Sequence, residues 1–242
     1  MTNPEVSLQD FQNRIQAMAE AEGLPWLRNR FQRALKRLLD VLIAAPMLLA
    51  IAPVLLITAL MVRVTSPGPV LLRQTRLGLN ARPYSMLKFR SMVAANPDGS
   101  AGYSGEVTAQ DFRLTPIGGF IRAWRIDELP QLWHVLTGEM SLIGPRPDII
   151  DNLGLYSGRL LLRFAMPPGC STLAFVRGGF ENDWQTRQAI NTEYVEQWSF
   201  MMDISIILKS AVVLLRQQEA NPSHSATSDF GRQQGGDSKQ RP

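Results

Sequence analysis

The sequence is poor in several residue types that build well-known sites. A single cysteine, Cys170, among 242 residues excludes an intrachain disulfide framework, and with it a small secreted fold stapled by disulfides. The two histidines, His134 and His224, lie far apart and lack cysteine neighbours, so the sequence does not suggest a zinc site. No GxGxxG, Walker A or GxSxG motif occurs. Nucleotide-binding and hydrolase folds built on those motifs are therefore unsupported.

Acidic residues are missing between Asp40 and Asp98. Six basic residues fall in that interval, namely Arg63, Arg73, Arg76, Arg82, Lys88 and Arg90. The formal net charge of +4 also suits an anionic partner, which could be a phosphate, an anionic lipid or nucleic acid. Nucleic acid is disfavoured, because the charges border an apolar segment and no aromatic stacking platform accompanies them. Contact with lipid headgroups is a sufficient explanation for Arg63 and Arg82.

Residues 41–62 form one long apolar run without any charge, in which Thr58 is the only polar side chain. As a helix this run would be about 33 Å long, close to the roughly 30 Å of a bilayer's hydrocarbon core. Pro46 and Pro53 predict a bend. Both flanks are basic, so charge does not assign the two ends to opposite sides. A kinked transmembrane helix, which composition favours, and a helix that returns to the same face both remain open.

The rest of the chain alternates helical and extended patterns. We predict, in order, a polar helix in residues 1–23, a basic amphipathic segment lying on the membrane at 24–39, strands at 70–75 and 84–89 forming a hairpin, a flexible loop at 94–108, helical structure at 117–137 interrupted at Pro130, an extended segment at 141–147, an interfacial or buried helix at 200–215 and a disordered tail at 217–242.

Two short motifs could carry chemistry. Asp127 and Glu128 precede Pro130, and their spacing alone favours simple capping of a helix. The alternative is a carboxylate nucleophile beside a second acid, near Arg122, with a divalent cation. Neighbouring residues on a helix diverge by about 100°, so the two acids would have different roles. Arg146, flanked by prolines, lies either in a surface turn or in a pre-organised phosphate site.

The ordered set of motifs resembles the bacterial sugar transferases, which form the monotopic phosphoglycosyl transferase superfamily. The resemblance runs from about Lys36 to Leu215. It rests on Lys36-Arg37-Leu-Leu-Asp40, Pro53, Ser66-Pro67-Gly68-Pro69-Val70, Gln74-Thr-Arg76-Leu-Gly78, Lys88-Phe89-Arg90-Ser91-Met92, Arg122, Asp127-Glu128-Leu-Pro-Gln131-Leu-Trp133, Gly138-Glu-Met-Ser141-Leu-Ile-Gly144-Pro145-Arg146-Pro147, and Tyr194-Val195 with Trp198-Ser199 and Asp203.

The resemblance implies an α/β (α+β) fold at the cytoplasmic face of the bacterial inner membrane. A re-entrant helix hairpin, broken near Pro53, would dip into one leaflet, which replaces the preference for a simple span. A small mixed catalytic domain with amphipathic interfacial helices would follow. The implied division is a lead-in at 1–35, a re-entrant helix at 36–63, a catalytic domain at 64–216 and a disordered tail at 217–242.

The resemblance also implies a reaction. Asp127 would attack the β-phosphate of a UDP-sugar, release UMP and form a covalent phosphosugar intermediate, which polyprenol phosphate would capture. Asp127 corresponds to the nucleophile and a ligand of Mg²⁺, and Glu128 to its partner. Lys88, Arg90, Arg122 and Arg146 correspond to substrate-binding positions.

The segment at residues 167–180 departs from the family pattern. An arginine expected near Gly179 is absent, and Arg177, two residues away, would substitute for it, since on a strand it would lie on the same face. Two other interpretations stay open. One is a membrane-bound nucleotide-sugar hydrolase, in which water replaces the lipid acceptor, and the other, motivated by this departure, is a catalytically inactive membrane scaffold of a polysaccharide assembly complex. The sugar, the polyprenol length and any homo-oligomer or complex partner are left open.

Overall fold

The computed structural model describes residues 7–93, 113–178 and 182–220. It contains eight α-helices and four strands within those ranges: α1 (Leu8–Ala21), α2 (Pro25–Arg28), α3 (Arg30–Thr65), β1 (Leu71–Leu77), β2 (Pro83–Phe89), α4 (Gly118–Ala123), α5 (Leu132–Thr137), β3 (Ser141–Ile143), β4 (Gly169–Ser171), α6 (Leu173–Val176), α7 (Trp184–Glu196) and α8 (Phe200–Ala220). The 3-10 helices are Leu79–Ala81, Ile126–Gln131, Ile150–Leu155 and Gly158–Ala165. The loop predicted at 94–108 lies outside the described residues.

The N-terminal helix α1 belongs to the main core. Ser7 caps it, and the side chains of Ser7 and Asp10 form a reciprocal capping box. Phe11 and Ile15 are buried in the same cluster as Leu161 of the 3-10 helix Gly158–Ala165. The polar helix expected in this region is therefore present, and it packs against the folded domain.

Helix α3 contains the apolar run and is long enough to cross a membrane, by length and composition. Its 36 residues form one helix that includes Pro46 and Pro53, so the helix is not broken near Pro53 as expected, and a re-entrant path requires a bend within it. The face that packs against the domain recurs every three or four residues, at Ala44, Leu48, Ile51, Leu55, Ala59 and Val62. Large apolar side chains cover the remaining surface, for example Leu49, Leu56 and Val64. Such a surface suits lipid, while the re-entrant path stays a prediction.

A buried polar network at the start of α3 connects the helix to three other elements. The Lys36 ammonium donates to the carbonyl of Ile143 at 2.7 Å and to the Asp203 carboxylate at 2.8 Å. Tyr194 and Trp198 also donate to Asp203, at 2.6 and 3.2 Å. The Lys36 and Asp203 side chains are almost fully buried. This pair therefore connects α3 to β3, to the C-terminal part of α7 and to α8.

Two small sheets complete the domain. Strands β1 and β2 form the predicted antiparallel hairpin, with Leu71 opposite Phe89 and Arg76 opposite Tyr84. Strands β3 and β4 pair in parallel. This second pairing requires glycine at Gly144 and Gly169, because a Cβ atom on Gly169 would lie 2.0 Å from the amide nitrogen of Gly144. The mixed architecture of helices and small sheets is confirmed.

The C-terminal helix α8 begins at Phe200, as predicted, and extends to Ala220. Its Asp203 is buried, whereas Met201, Leu208 and Leu215 are exposed. The helix therefore enters the region that we predicted to be a tail, and residues 221–242 lie outside the described residues.

We predict that Lys36→Met lowers the free energy of unfolding by about 3–5 kcal/mol, because the Asp203 charge would remain buried without its cation. Thermal or denaturant unfolding of the detergent-solubilised protein measures this. Lys209→Met, on the exposed face of the same helix as Asp203, is the matched control and should change stability by less than about 0.5 kcal/mol. Equal effects of both variants would contradict a buried ion pair.

Candidate active site

Asp127 and Glu128 lie in the 3-10 helix Ile126–Gln131, which follows a sharp turn after α4. Arg125 makes this turn with a left-handed backbone, φ +54°. Pro130 is accommodated within the short helix. The turn brings the two acids against β2, whose Lys88 contacts Glu128. We predicted that the helical stretch is interrupted at Pro130. The 3-10 helix at this interruption carries both carboxylates.

Cations are concentrated on the Glu128 side of the pair. The Lys88 ammonium lies 3.0 Å from the Glu128 carboxylate, and the Arg146 guanidinium lies 3.9 Å from it. The charge of Lys88, followed by burial that acts in the opposite sense and by the charge of Arg146, leaves the pKa of Glu128 well below its ordinary value. Glu128 is therefore ionised at neutral pH, and it links β2 to the segment after β3.

Asp127 is placed differently. It is only 7% exposed, and burial together with the neighbouring Glu128 charge raises its pKa from 3.8 to about 6. Lys88 and Arg122 act in the opposite direction. The pKa values of the two adjacent acids are consequently shifted in opposite directions. At pH above about 6 Asp127 is a buried, ionised carboxylate.

Arg122 lies on α4, where its guanidinium is 3.4 Å from the Ser91 hydroxyl and 3.8 Å from the Met92 sulfur. Its charge favours the ionised form of Asp127. The structure thus brings Arg122 into the electrostatic surroundings of the carboxylates, as the sequence predicted.

The backbone of Arg146 is fixed by its neighbours. The Arg163 guanidinium donates to the Arg146 carbonyl and, at 3.2 Å, to the Asp148 carboxylate. Pro145 and Pro147 restrict the same segment. The side chain of Arg146 remains about half exposed near Glu128. This geometry fits the pre-organised arginine, one of the two interpretations that the sequence left open.

Arg90 has a different environment from the one we expected. It is 1% exposed and donates to the carbonyl and the hydroxyl of Ser66, at 2.7 and 2.8 Å, just beyond the end of α3. Gly68 has φ +112°, and a Cβ atom there would lie 2.3 Å from an Arg90 nitrogen. The Ser66-Pro67-Gly68 motif therefore wraps around this guanidinium. Arg90 is absent from the described lining of the cavity beside Glu128, and its phosphate contact stays a prediction.

The segment before Arg177 is not a strand. Residues Leu173–Val176 form helix α6, and Arg177 caps its C-terminal end. Position 179 lies outside the described residues, so the substrate contact of Arg177 stays a prediction. The Arg177 guanidinium pairs with Glu193 at 2.7 Å.

His134 has a structural role that the sequence did not reveal. Its Nε2 accepts a hydrogen bond from the Leu87 amide at 3.0 Å, so its Nδ1 carries the proton that is donated to Glu139 at 2.7 Å. This contact fixes α5, directly after the carboxylates, against β2 beside Lys88.

A small cavity of about 30 Å³ opens beside Glu128. It is lined by Arg76, Met86, Lys88, Glu128, Gln131, Arg146, Pro147, Gly169 and Cys170. Of these, Arg76, Gln131 and Cys170 were not assigned to the site from the sequence. Gly169 and Cys170 belong to the segment that departs from the family pattern. The guanidinium of Arg125 lies 5.5 Å from the Phe175 ring, so a second contact joins that segment to the carboxylate helix.

A divalent cation is compatible with these residues. Among the described residues there is no cluster of three or more His, Cys, Asp or Glu side chains that would form a complete protein cage. Mg²⁺ commonly takes only one or two carboxylates and completes its coordination with water and substrate phosphates. Asp127 and Glu128 provide that donor chemistry, and a cation would reduce the repulsion that raises the pKa of Asp127.

The long apolar helix indicates a membrane protein, and it is joined to a domain whose cavity is lined by three basic side chains and one carboxylate. The family model for bacterial sugar transferases matches residues 31–217. The chain therefore belongs to the bacterial sugar transferase family.

Three relatives illustrate this membership. A protein named UDP-glucose:undecaprenyl-phosphate glucose-1-phosphate transferase from Caulobacter vibrioides is 41% identical over 195 residues, covering 76% of this chain and 71% of that protein. An Escherichia coli protein of the same name is 39% identical over 72% of this chain, which spans only 39% of its length. The exopolysaccharide production protein ExoY of Rhizobium meliloti is 34% identical, covering 75% of this chain and 86% of that protein.

We predict that Asp127→Asn stabilises the protein at pH 7.5 by about 1–3 kcal/mol. A raised pKa means that Asp127 contributes stability when protonated, and that this contribution is lost as the pH rises through about 6. Asparagine does not titrate, so its advantage should vanish near pH 4. Thermal unfolding between pH 4 and 8 measures the difference, with Asp151→Asn, at an exposed position, as control. An advantage independent of pH would contradict this prediction.

Proposed function

We propose that the protein transfers a sugar phosphate from a UDP-sugar to polyprenol (undecaprenyl) phosphate and releases UMP. This step would begin exopolysaccharide or glycoconjugate synthesis at the cytoplasmic face of the bacterial inner membrane. Family membership and the names of the relatives support the reaction class. The observation that carries the proposal is the buried Asp127 carboxylate, whose pKa burial and the adjacent Glu128 charge raise to about 6.

The first half of the reaction uses Asp127 as the nucleophile. An ionised Oδ atom attacks the β-phosphorus of the UDP-sugar, an aspartyl phosphosugar bond forms, and the bond from that phosphorus to the bridging oxygen breaks. The bridging oxygen leaves with UMP. Burial favours this role, because a partly desolvated carboxylate is a better nucleophile than one in water.

The second half regenerates the carboxylate. An oxygen of polyprenol phosphate attacks the phosphorus of the aspartyl phosphosugar, the bond to Asp127 breaks, and the lipid carries away the sugar as a diphosphate. Dividing the displacement into two steps lets one anionic site serve two substrates in turn. The hydrolase interpretation differs only in that water would take the place of the lipid.

Cationic side chains support both steps. Lys88 and Arg146 lie beside Glu128, and Glu128 holds them where they can bind phosphate oxygens. Arg122 is oriented from α4 and offsets negative charge at Asp127. Asp127 and Glu128 would hold Mg²⁺, which supplies charge neutralisation at the phosphates when it is bound.

We also propose that α3 enters one leaflet and keeps both ends on the same side. Near its start, Lys36 pairs with Asp203, and immediately after its end Ser66 accepts hydrogen bonds from Arg90. Both partners belong to the same folded domain, and that domain presents ionised residues unsuited to a bilayer interior. Basic residues flank both ends, consistent with one aqueous face.

The reaction is tested by UMP release from the detergent-solubilised protein with Mg²⁺, undecaprenyl phosphate and a panel of UDP-sugars. We expect lipid-dependent release with at least one donor, and a loss of at least 1,000-fold in Asp127→Asn, because the amide is not a nucleophile. Asp151→Asn should retain activity. Release without lipid would favour the hydrolase, and no release by folded protein would favour the inactive scaffold.

The path of α3 is tested by cysteine labelling in a Cys170→Ser background. Phe31→Cys and Val64→Cys replace exposed side chains near the two ends of the helix. We expect a membrane-impermeant maleimide to label both positions in inverted vesicles and neither in intact spheroplasts. Labelling of the two positions from opposite sides would show a span and contradict the re-entrant path.

A further inference from the structure

The charge balance of the cavity beside Glu128 is unusual. Three cationic side chains line it, those of Arg76, Lys88 and Arg146, whereas Glu128 is the single carboxylate in its described lining. Lys88 and Arg146 both lie near Glu128, so one negative charge is shared between two cations. The third cation, Arg76, forms no ion pair with Glu128.

Arg76 extends from β1 with incomplete hydrogen bonding. One terminal nitrogen donates to the neutral Gln74 side chain at 2.7 Å. Its Nε atom is buried and has no hydrogen-bond partner among the described residues, and the same holds for the hydroxyl of Tyr84, the cross-strand neighbour. Burial and then the charge of Arg146 lower the pKa of Arg76, whereas the charges of Asp148 and Glu128 act in the opposite direction. Arg76 is thus a half-buried arginine near another cation, and its Nε atom is fully enclosed.

A buried donor without an acceptor is costly, and the great majority of buried polar groups in proteins are hydrogen-bonded. A phosphate would satisfy this arrangement, because a guanidinium can donate in parallel to two phosphate oxygens. A dianionic group would also balance the excess positive charge of the lining. A neutral ligand would satisfy the donor but leave the charge uncompensated.

We propose that Arg76 binds a substrate phosphate in this cavity, together with Lys88 and Arg146. The inference rests on the proposed function and adds a residue to its substrate-binding set. The chemistry recognised is a phosphate or diphosphate, which either the nucleotide donor or the lipid acceptor could present. Separate kinetic measurements for the two substrates distinguish these sources.

The hairpin offers a matched control. Successive side chains of a strand point to opposite faces, so Arg73 lies on the other face of β1 from Arg76 and is exposed. Arg73→Ala removes the same charge from the same strand without altering the cavity. A general loss of positive charge near the membrane should affect both variants equally.

The test compares Arg76→Ala, Arg76→Lys and Arg73→Ala in the full-length, detergent-solubilised protein. For Arg76→Ala we expect the KM of one substrate, the UDP-sugar or undecaprenyl phosphate, to rise at least tenfold, with a smaller change in kcat. Arg76→Lys keeps the charge and should recover part of the loss, whereas Arg73→Ala should behave as wild type. Unchanged KM values for both substrates in Arg76→Ala would overturn the proposal.

Calorimetric titration of the same proteins with UDP and with inorganic pyrophosphate, in the presence of Mg²⁺, separates this inference from the proposed function. If wild type binds these anions but transfers no sugar phosphate, the proposed reaction fails while Arg76 is still tested by its variants. If Arg76→Ala unfolds, at least fivefold weaker anion binding by a folded Arg76→Lys supports the proposal. Wild-type anion binding by the lysine variant would overturn it in that case.

Discussion

Two consecutive carboxylates cannot both be ionised inside a protein without nearby positive charge, and the site depends on how the cations are divided between them. Lys88 and Arg146 lie beside Glu128, which is held ionised, whereas Asp127 is more deeply buried and titrates near pH 6. In the proposed reaction, Glu128 therefore organises the side chains that bind phosphate, and Asp127 acts as the nucleophile. The short 3-10 helix makes this division possible, because it points adjacent side chains in different directions.

The membrane helix and the site are mechanically joined. Lys36 of α3 donates to the carbonyl of Ile143, the last residue of β3, and the chain reaches Arg146 three residues later. At the other end, Arg90 follows β2 directly and fixes the residues after α3, while Lys88 on the same strand contacts Glu128. Displacement of α3 would thus shift the segments that carry Lys88 and Arg146, the two cations beside Glu128. A site built in this way is oriented with respect to the membrane.

The sequence was informative where local pattern and chemistry agree. Hydropathy, turn residues and ordered motifs predicted the apolar run, the β1–β2 hairpin and the grouping of Glu128 with Lys88 and Arg146. The sequence was uninformative where a residue contacts a segment that lies far away along the chain. The parallel pairing of β3 with β4 and the role of Arg90 depend on contacts between distant segments. The strand geometry assumed around Arg177 was wrong, because a one-turn helix forms there and one turn leaves almost no periodic signal.

In the proposed reaction, Asp127 carries the sugar phosphate between the two substrates. Mass spectrometry of the protein incubated with its UDP-sugar and Mg²⁺, with the lipid acceptor withheld, tests this role of Asp127. We expect an added mass of one sugar phosphate, located on Asp127 and discharged when undecaprenyl phosphate is supplied. Sugar phosphate transfer that proceeds at a normal rate while rapid-quench samples never contain this adduct, or contain it on another residue, would contradict this role.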